Sequence, residues 1–226
     1  MTIVTTRPSM QKKETAMTAL TIKIDAAITG SDVVADIART LRQGGVIVYP
    51  TDTFYGLGAD CFSPPALSRI YEIKGRPLTK GLLVLVSSTD MARQLAAEIP
   101  PAFAALSAAF WPGPLTMVLK AAPNLPDELV GPARTIGIRL PALAWLRELV
   151  RTAGFPVVAT SANISGEREI DSGEAAVRQF ADKVDLIVDG GRTAGGRPST
   201  VVDLTSGKPV VRRDGAIPKE SIAALV

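Results

Sequence analysis

The stretch VIVYPTDTFYGLG, Val46 to Gly58, decides the reading of the fold. Its first four residues, VIVY, are apolar on both alternating faces, which marks a strand buried on two sides. A helix precedes it: Ser31 to Gln43 carries Val33, Val34, Ile37, Ala38 and Leu41 at helical spacing, opens on Ser and Asp, and stops at Gly44-Gly45. A helix feeding a doubly buried strand that empties into a polar loop is the grammar of an α/β sheet, in which ligands gather where strands end.

The same grammar continues downstream. Ser63 caps a helix with Pro64 at its first position, where a missing N–H is harmless, and this helix runs to Lys74. LLVLV at 82–86 reads as a second buried strand, followed by helical stretches at Thr89 to Glu98 and Pro101 to Phe110 that end at WPGP, 111–114. LTMVLK (115–120) and TIGIRL (135–140) alternate as strands do, and Ala142 to Ala153 is amphipathic through Leu143, Leu146, Leu149 and Val150. PVVAT at 156–160 delivers TSANISG, a helix follows near Ser172 to Asp182, and DLIVD, TVVDL and PVVR close the chain as strands. The expected architecture is α/β: a single domain with an open mixed β-sheet, helices on its faces, and polar loops lining one shared concavity. Residues 1–17 form a polar, disordered leader, in which Met17 offers an alternative start, and 18–226 form the folded domain.

The chain has 226 residues, 46% of them hydrophobic, with a mean hydropathy of +0.23. Its 25 Lys and Arg against 22 Asp and Glu give a net charge of +3. The densest basic region, Arg192, Arg197, Lys208, Arg212 and Arg213, is interleaved with Asp189, Asp203 and Asp214, unlike the clustered face of a dedicated duplex binder. No apolar run has the length of a bilayer span, and the leader lacks the apolar block of a signal peptide, so the expected location is the cytoplasm, away from membranes. A lone cysteine, Cys61, fits a reducing compartment. There is no histidine, which excludes the Ser-His-Asp triad, the Cys-His pair and His-ligated zinc.

Three loops carry the candidate chemistry. KGRP, 74–77, presents Lys74 and Arg76 at a helix exit that Pro77 ends and Gly75 lets turn; the same cations could instead merely favour the helix C-terminus. TSANISG, 160–166, offers hydroxyls, a carboxamide and backbone N–H groups suited to an anion, with Ser161 and Asn163 as contacts, or else a capped turn. In YPTDTFYGLG, Thr51 and Thr53 could read a small polar substrate while Gly56 and Gly58 let backbone approach it; this is neither a P-loop nor GxGxxG. Thr116, Arg139, Ser199 and Arg213 add further donors.

In order, YPTDTFYGLG, KGRP with KGL, WPGPLT, IRLP, TSANISG, DGG, STVVD and the arginine of VVRRDG resemble the YrdC-like family of threonylcarbamoyl-AMP synthases, from about Val46 to Gly215. The resemblance implies a twisted open sheet with a large concave basic cavity. It also implies a reaction of L-threonine, bicarbonate or CO2, and ATP that yields L-threonylcarbamoyl-adenylate and pyrophosphate, toward modification of adenosine 37 in tRNA. By the same resemblance Lys74, Arg76, Ser161 and Asn163 hold the triphosphate and carbamate, and Thr51, Thr116 and Arg139 hold threonine. Ser199 and Arg213 close the nucleotide side, and Mg²⁺ rides mainly on phosphates, with no protein metal ligands. Gly81 and Leu85, where longer relatives have proline and histidine, and a chain ending soon after Arg213 look like the short bacterial form. That form implies partner proteins of a tRNA-modifying complex, with tRNA met directly or through them. Two other readings use the same residues: an RNA-binding module that grips phosphates without chemistry, and a serine hydrolase built on Ser161 with Lys74 as base.

Overall fold

The computed structural model describes residues 18–25, 30–75 and 81–226. The leader at 1–17 lies outside the described residues. In chain order the elements are β1 (Leu20–Lys23), α1 (Ser31–Arg42), β2 (Ile47–Pro50), β3 (Tyr55–Gly58), α2 (Pro64–Lys74), β4 (Leu83–Leu85), α3 (Thr89–Gln94), α4 (Ala102–Phe110), β5 (Leu115–Lys120) and α5 (Asp127–Val130). They continue with β6 (Thr135–Arg139), α6 (Ala144–Ala153), β7 (Val157–Val158), β8 (Thr160–Ser161), α7 (Gly173–Phe180), β9 (Leu186–Asp189), β10 (Thr200–Asp203), β11 (Val210–Arg213) and α8 (Lys219–Ala223).

The α/β architecture with open mixed pairing is as expected, but the strands form two hydrogen-bonded sheets. One runs β1-β9-β2-β3-β8 and the other β11-β10-β5-β6-β4-β7. The chain passes between them at Ala159, the single residue separating β7 from β8. The last four residues of the YPTDTFYGLG stretch are strand rather than loop: Tyr55–Gly58 pairs antiparallel with Ile47–Pro50, and a tight turn at Thr51 to Phe54 joins them. That turn is closed by Thr51, whose N–H and Oγ1 both donate to the Phe54 carbonyl, at 3.1 and 2.7 Å.

Side-chain alternation along the central strands sorts the interior into two clusters. Val46 and Val48 face one core with Leu57, Leu67, Ile70, Met117 and Phe103; Ile47 and Tyr49 face the other, against Ile37 and Leu41 of α1 and Leu146 and Leu149 of α6. Ile187 likewise joins the first cluster while Leu186 and Val188 join the second. A period of two on a sheet covered on both faces requires this division. Gly58 is fixed by that packing: a Cβ there would sit 2.5 Å from Tyr49 Cε1, so this glycine admits the neighbouring ring instead of a ligand.

Helix ends follow their sequence signals. Ser63 accepts from the Ala66 N–H at the start of α2, with prolines in its first turn, and Gly75 ends it in the left-handed conformation at φ 57°. Ser172 accepts from the Ala175 N–H to open α7. Both ends matter to the site.

Candidate active site

One face of the six-stranded sheet is core and the other floors a cavity of about 410 Å³. Leu115 and Met117 of β5 and Ile136 and Ile138 of β6 point into the core; their alternating neighbours Thr116, Val118, Thr135, Gly137 and Arg139 line the cavity. The register aligns the floor across strands. Arg213 pairs with Val201, Val201 with Thr116, and Arg139 with Leu85. Met117 pairs with Ile138, so one antiparallel step further sets Thr116 opposite Arg139. Arg213, Val201, Thr116, Arg139 and Leu85 thus form a transverse row over five strands, and all five line the cavity. The walls come from the five-stranded sheet and its turns, including Thr51, Thr53, Tyr55, Gly56 and Ser161.

Of the residues singled out in the sequence, Thr51, Thr116, Arg139, Ser161, Ser199 and Arg213 share this one cavity. Lys74 and Asn163 stand directly behind Ser161. Arg76 lies outside the described residues.

Lys74 is 3% exposed at the end of α2. Its Nζ donates to the Ser161 carbonyl at 2.5 Å, the Asn163 carbonyl at 3.0 Å and Asn163 Oδ1 at 3.2 Å, while its own carbonyl accepts from the Ser165 N–H at 3.0 Å. A cation surrounded by oxygens in a buried position latches the 161–165 turn onto the helix. Ser161 Oγ donates to Asn163 Oδ1 at 2.6 Å, and Asn163 Nδ2 donates to the Glu167 carbonyl at 2.7 Å. The carboxamide therefore has its oxygen fixed toward Lys74 and Ser161.

Arg139 is 5% exposed. Nε donates to the Gly113 carbonyl at 3.0 Å, which places it against the WPGP turn, and Nη2 donates to both carboxylate oxygens of Asp52 at 2.5 Å. Burial draws its proton affinity below the usual arginine range, and Asp52 opposes that shift. Nη1 makes no hydrogen bond to a described residue. Thr116 Oγ1 and Ser199 Oγ lie 2.9 Å apart, and Arg213 donates from Nε to the Ser199 carbonyl and from Nη2 to Ser199 Oγ, each at 3.0 Å. A chain of donors and acceptors thus runs from β5 to β11.

Two charged residues that the sequence does not single out belong here: Asp52, paired with Arg139, and Glu169, which lines the cavity. Asp52 reads as one more turn-forming residue between two threonines, and Glu169 sits within the charged run Glu167-Arg168-Glu169. The basic C-terminal region behaves as its interleaving suggests: Arg192 pairs with Asp171, Arg197 with Asp214 and Arg212 with Asp203.

Two tyrosines brace the cavity wall. Tyr49 donates to the Val158 carbonyl at 2.9 Å; burial pushes its phenol far up, with Arg139 pulling weakly the other way. Tyr55 donates to the Gly191 carbonyl and accepts from the Gly190 N–H; its phenol is pushed up to about 12, by burial first, with the Gly190 N–H opposing and Asp189 adding to the rise. A phenol whose folded value is raised lends stability that is complete below the unfolded value of about 10 and vanishes as pH climbs through about 12. Alkaline titration should therefore show tyrosinate absorbance from Tyr49 and Tyr55 only together with loss of far-ultraviolet dichroism. Two or more of the three tyrosines ionising near pH 10–11 in a folded protein would contradict this.

The family model Sua5_yciO_yrdC, described as telomere recombination, matches residues 39–215. A Pyrococcus abyssi (strain GE5 / Orsay) protein named threonylcarbamoyl-AMP synthase is 39% identical over 189 residues, covering 84% of this chain and 56% of that protein. A Bacillus subtilis (strain 168) protein of the same name is 35% identical over 203 residues, covering 89% of this chain and 59% of that one. The chain thus spans less than two thirds of the length of these two relatives. A third so named, from Thiobacillus denitrificans, is 38% identical over 168 residues and is covered to 89% of its length. Among solved structures, P. abyssi Sua5 complexed with L-threonine superposes with a TM-score of 0.86 at 35% identity, covering 92% of this chain and 60% of that one. Escherichia coli YciO superposes at 0.80 with 30% identity, covering 88% of this chain and 96% of that one.

Proposed function

From the premise that the chain belongs to the Sua5_yciO_yrdC family, we propose that it is a threonylcarbamoyl-AMP synthase. The L-threonine amine takes up bicarbonate with loss of water, or CO2 with loss of a proton, to form a carbamate; a carbamate oxygen attacks the α-phosphorus of ATP, the bond from that phosphorus to the oxygen bridging to the β-phosphate breaks, and pyrophosphate leaves. The observation that carries this reading is the gathering of Thr51, Thr116, Arg139, Ser161, Ser199 and Arg213 on one cavity. The name shared by relatives at 35–39% identity and the threonine complex of the P. abyssi protein support it.

The chemistry asks for little beyond charge neutralisation and alignment. Both reactants are anions, so a catalyst gains most by fixing donors where negative charge meets negative charge. We assign the threonine carboxylate to the unengaged edge of Arg139, whose planar fork suits it, and its polar groups to Thr51 and Thr116. Lys74, Ser161 and Asn163, with Arg76, are assigned to the triphosphate and carbamate, and Ser199 with Arg213 to the nucleotide. No group of three or more metal-ligating side chains is placed to hold an ion among the described residues, so Mg²⁺ is assigned to the phosphates and water. In this reading the product serves the threonylcarbamoyl modification of tRNA adenosine 37 in the cytoplasm, through partner proteins or by direct contact with tRNA. Among the described residues no helix is long and apolar enough to cross a membrane.

The test is pyrophosphate release from ATP with threonine and bicarbonate supplied together and singly. Release should need both, and turnover indifferent to threonine would defeat the proposal.

A further inference from the structure

Glu169 enters the cavity on a segment tied down on both sides. The Glu167 carbonyl accepts from Asn163 Nδ2 at 2.7 Å, and the carbonyl of buried Ile170 accepts from the Tyr55 N–H at 2.8 Å. Glu169 lines the same space as Arg213 and Arg139, yet among the described residues its carboxylate forms no ion pair and accepts no side-chain hydrogen bond. Asp52, by contrast, is consumed by Arg139. Arg213 feels Glu169 electrostatically: burial lowers its proton affinity first, Glu169 opposes that, and Arg139 adds to it. With Nε and Nη2 spent on Ser199, Arg213 keeps N–H groups to spare.

A carboxylate and a guanidinium that share a cavity without touching select what fits between them. An ammonium there would meet two arginines, and a phosphate would meet Glu169. A neutral group that both donates and accepts suits both. A cis-diol does so fully, its two O–H groups matching two carboxylate oxygens and its oxygens accepting from arginine. We propose that Glu169 reads the sugar of the nucleotide, its carboxylate accepting hydrogen bonds from the 2′- and 3′-hydroxyls of a ribonucleoside triphosphate. This rests on the synthase reading, which brings ATP to the cavity, and it makes Glu169 a specificity-determining residue.

The experiment is calorimetric titration of the full chain with ATP, 2′-deoxy-ATP, 3′-deoxy-ATP and ITP, for the parent, Glu169→Ala and Glu169→Gln. The readout is the ratio of affinities, because removing a negative charge near Arg213 strengthens every triphosphate alike. The parent should prefer ATP to either deoxy form by about tenfold or more, as expected for a hydrogen bond to a charged acceptor. Glu169→Ala should bring that ratio close to unity, Glu169→Gln should fall between, and the ATP to ITP ratio should stay constant. A parent without ribose preference or without ATP binding overturns the proposal, as does a preference kept in Glu169→Ala or a change confined to ITP, which would place the base edge there. Ribose-selective binding without threonine-dependent pyrophosphate release would sink the synthase reading while leaving Glu169 in its role; release with unchanged sugar selectivity would do the reverse.

Discussion

Arg139→Ala is expected to lower threonine-dependent pyrophosphate release by roughly 100-fold or more, mainly by raising the KM for threonine, since the lost group is a buried charged donor. The same substitution should cost stability. Asp52 is 16% exposed and places both oxygens on Arg139, and removing one member of such a pair strands the other charge, at about 3 kcal/mol. The two losses separate in a second variant: Arg139→Ala with Asp52→Asn should recover much of the unfolding free energy by urea titration and none of the threonine affinity. Recovery of both would show Arg139 to be structural alone. Threonine affinity unchanged in the single variant would remove it from the substrate site.

Lys74→Met should reduce kcat/KM by about 100- to 1,000-fold, the scale for losing one preorganised cationic donor. It should also loosen the turn after β8, because the ammonium is what binds the carbonyls of Ser161 and Asn163 to the end of α2. Amide exchange at Ser165, whose N–H donates to the Lys74 carbonyl, reports that loosening. Lys74→Arg should not rescue either effect, since a planar fork cannot satisfy oxygens arranged around a compact ammonium. A variant that keeps full turnover while Ser165 exchanges faster would mean the latch is dispensable to catalysis.

What the sequence revealed of this site depended on local pattern. Thr116 and Arg139 are unremarkable as single residues and stood out only through the resemblance carried by WPGPLT and IRLP; the alternation of LTMVLK and TIGIRL is what sets them on the face away from Met117 and Ile138. Ser161 and Asn163 were readable because polar residues crowd a strand end. The second half of YPTDTFYGLG was not readable as a strand, since Gly56 and Gly58 give the pattern of a turn, while Gly58 in fact makes room for the Tyr49 ring. Asp52 escaped because its partner Arg139 is 87 residues away. The burial of Lys74 escaped for the same reason, its acceptors lying 87 and 89 residues further along. Glu169 belongs to a charged run that reads as ordinary surface until the anchoring of Ile170 turns it inward. The division into two sheets rests on pairings such as β1 with β9 that no short window contains.

The row of side chains laid across β11, β10, β5, β6 and β4 acts as a gauge. Three inter-strand steps separate Arg213 from Arg139, about 14 Å of backbone at the spacing that sheet hydrogen bonds impose. That length is set by the ladder and not by loop conformation, so it stays constant while the turns above it adapt. A one-residue slip of β5 against either neighbour would turn Thr116 into the core and break the scale in its middle. Insertions during divergence should therefore be tolerated in the rim and rejected in these five strands, which fix the distance between the two arginines.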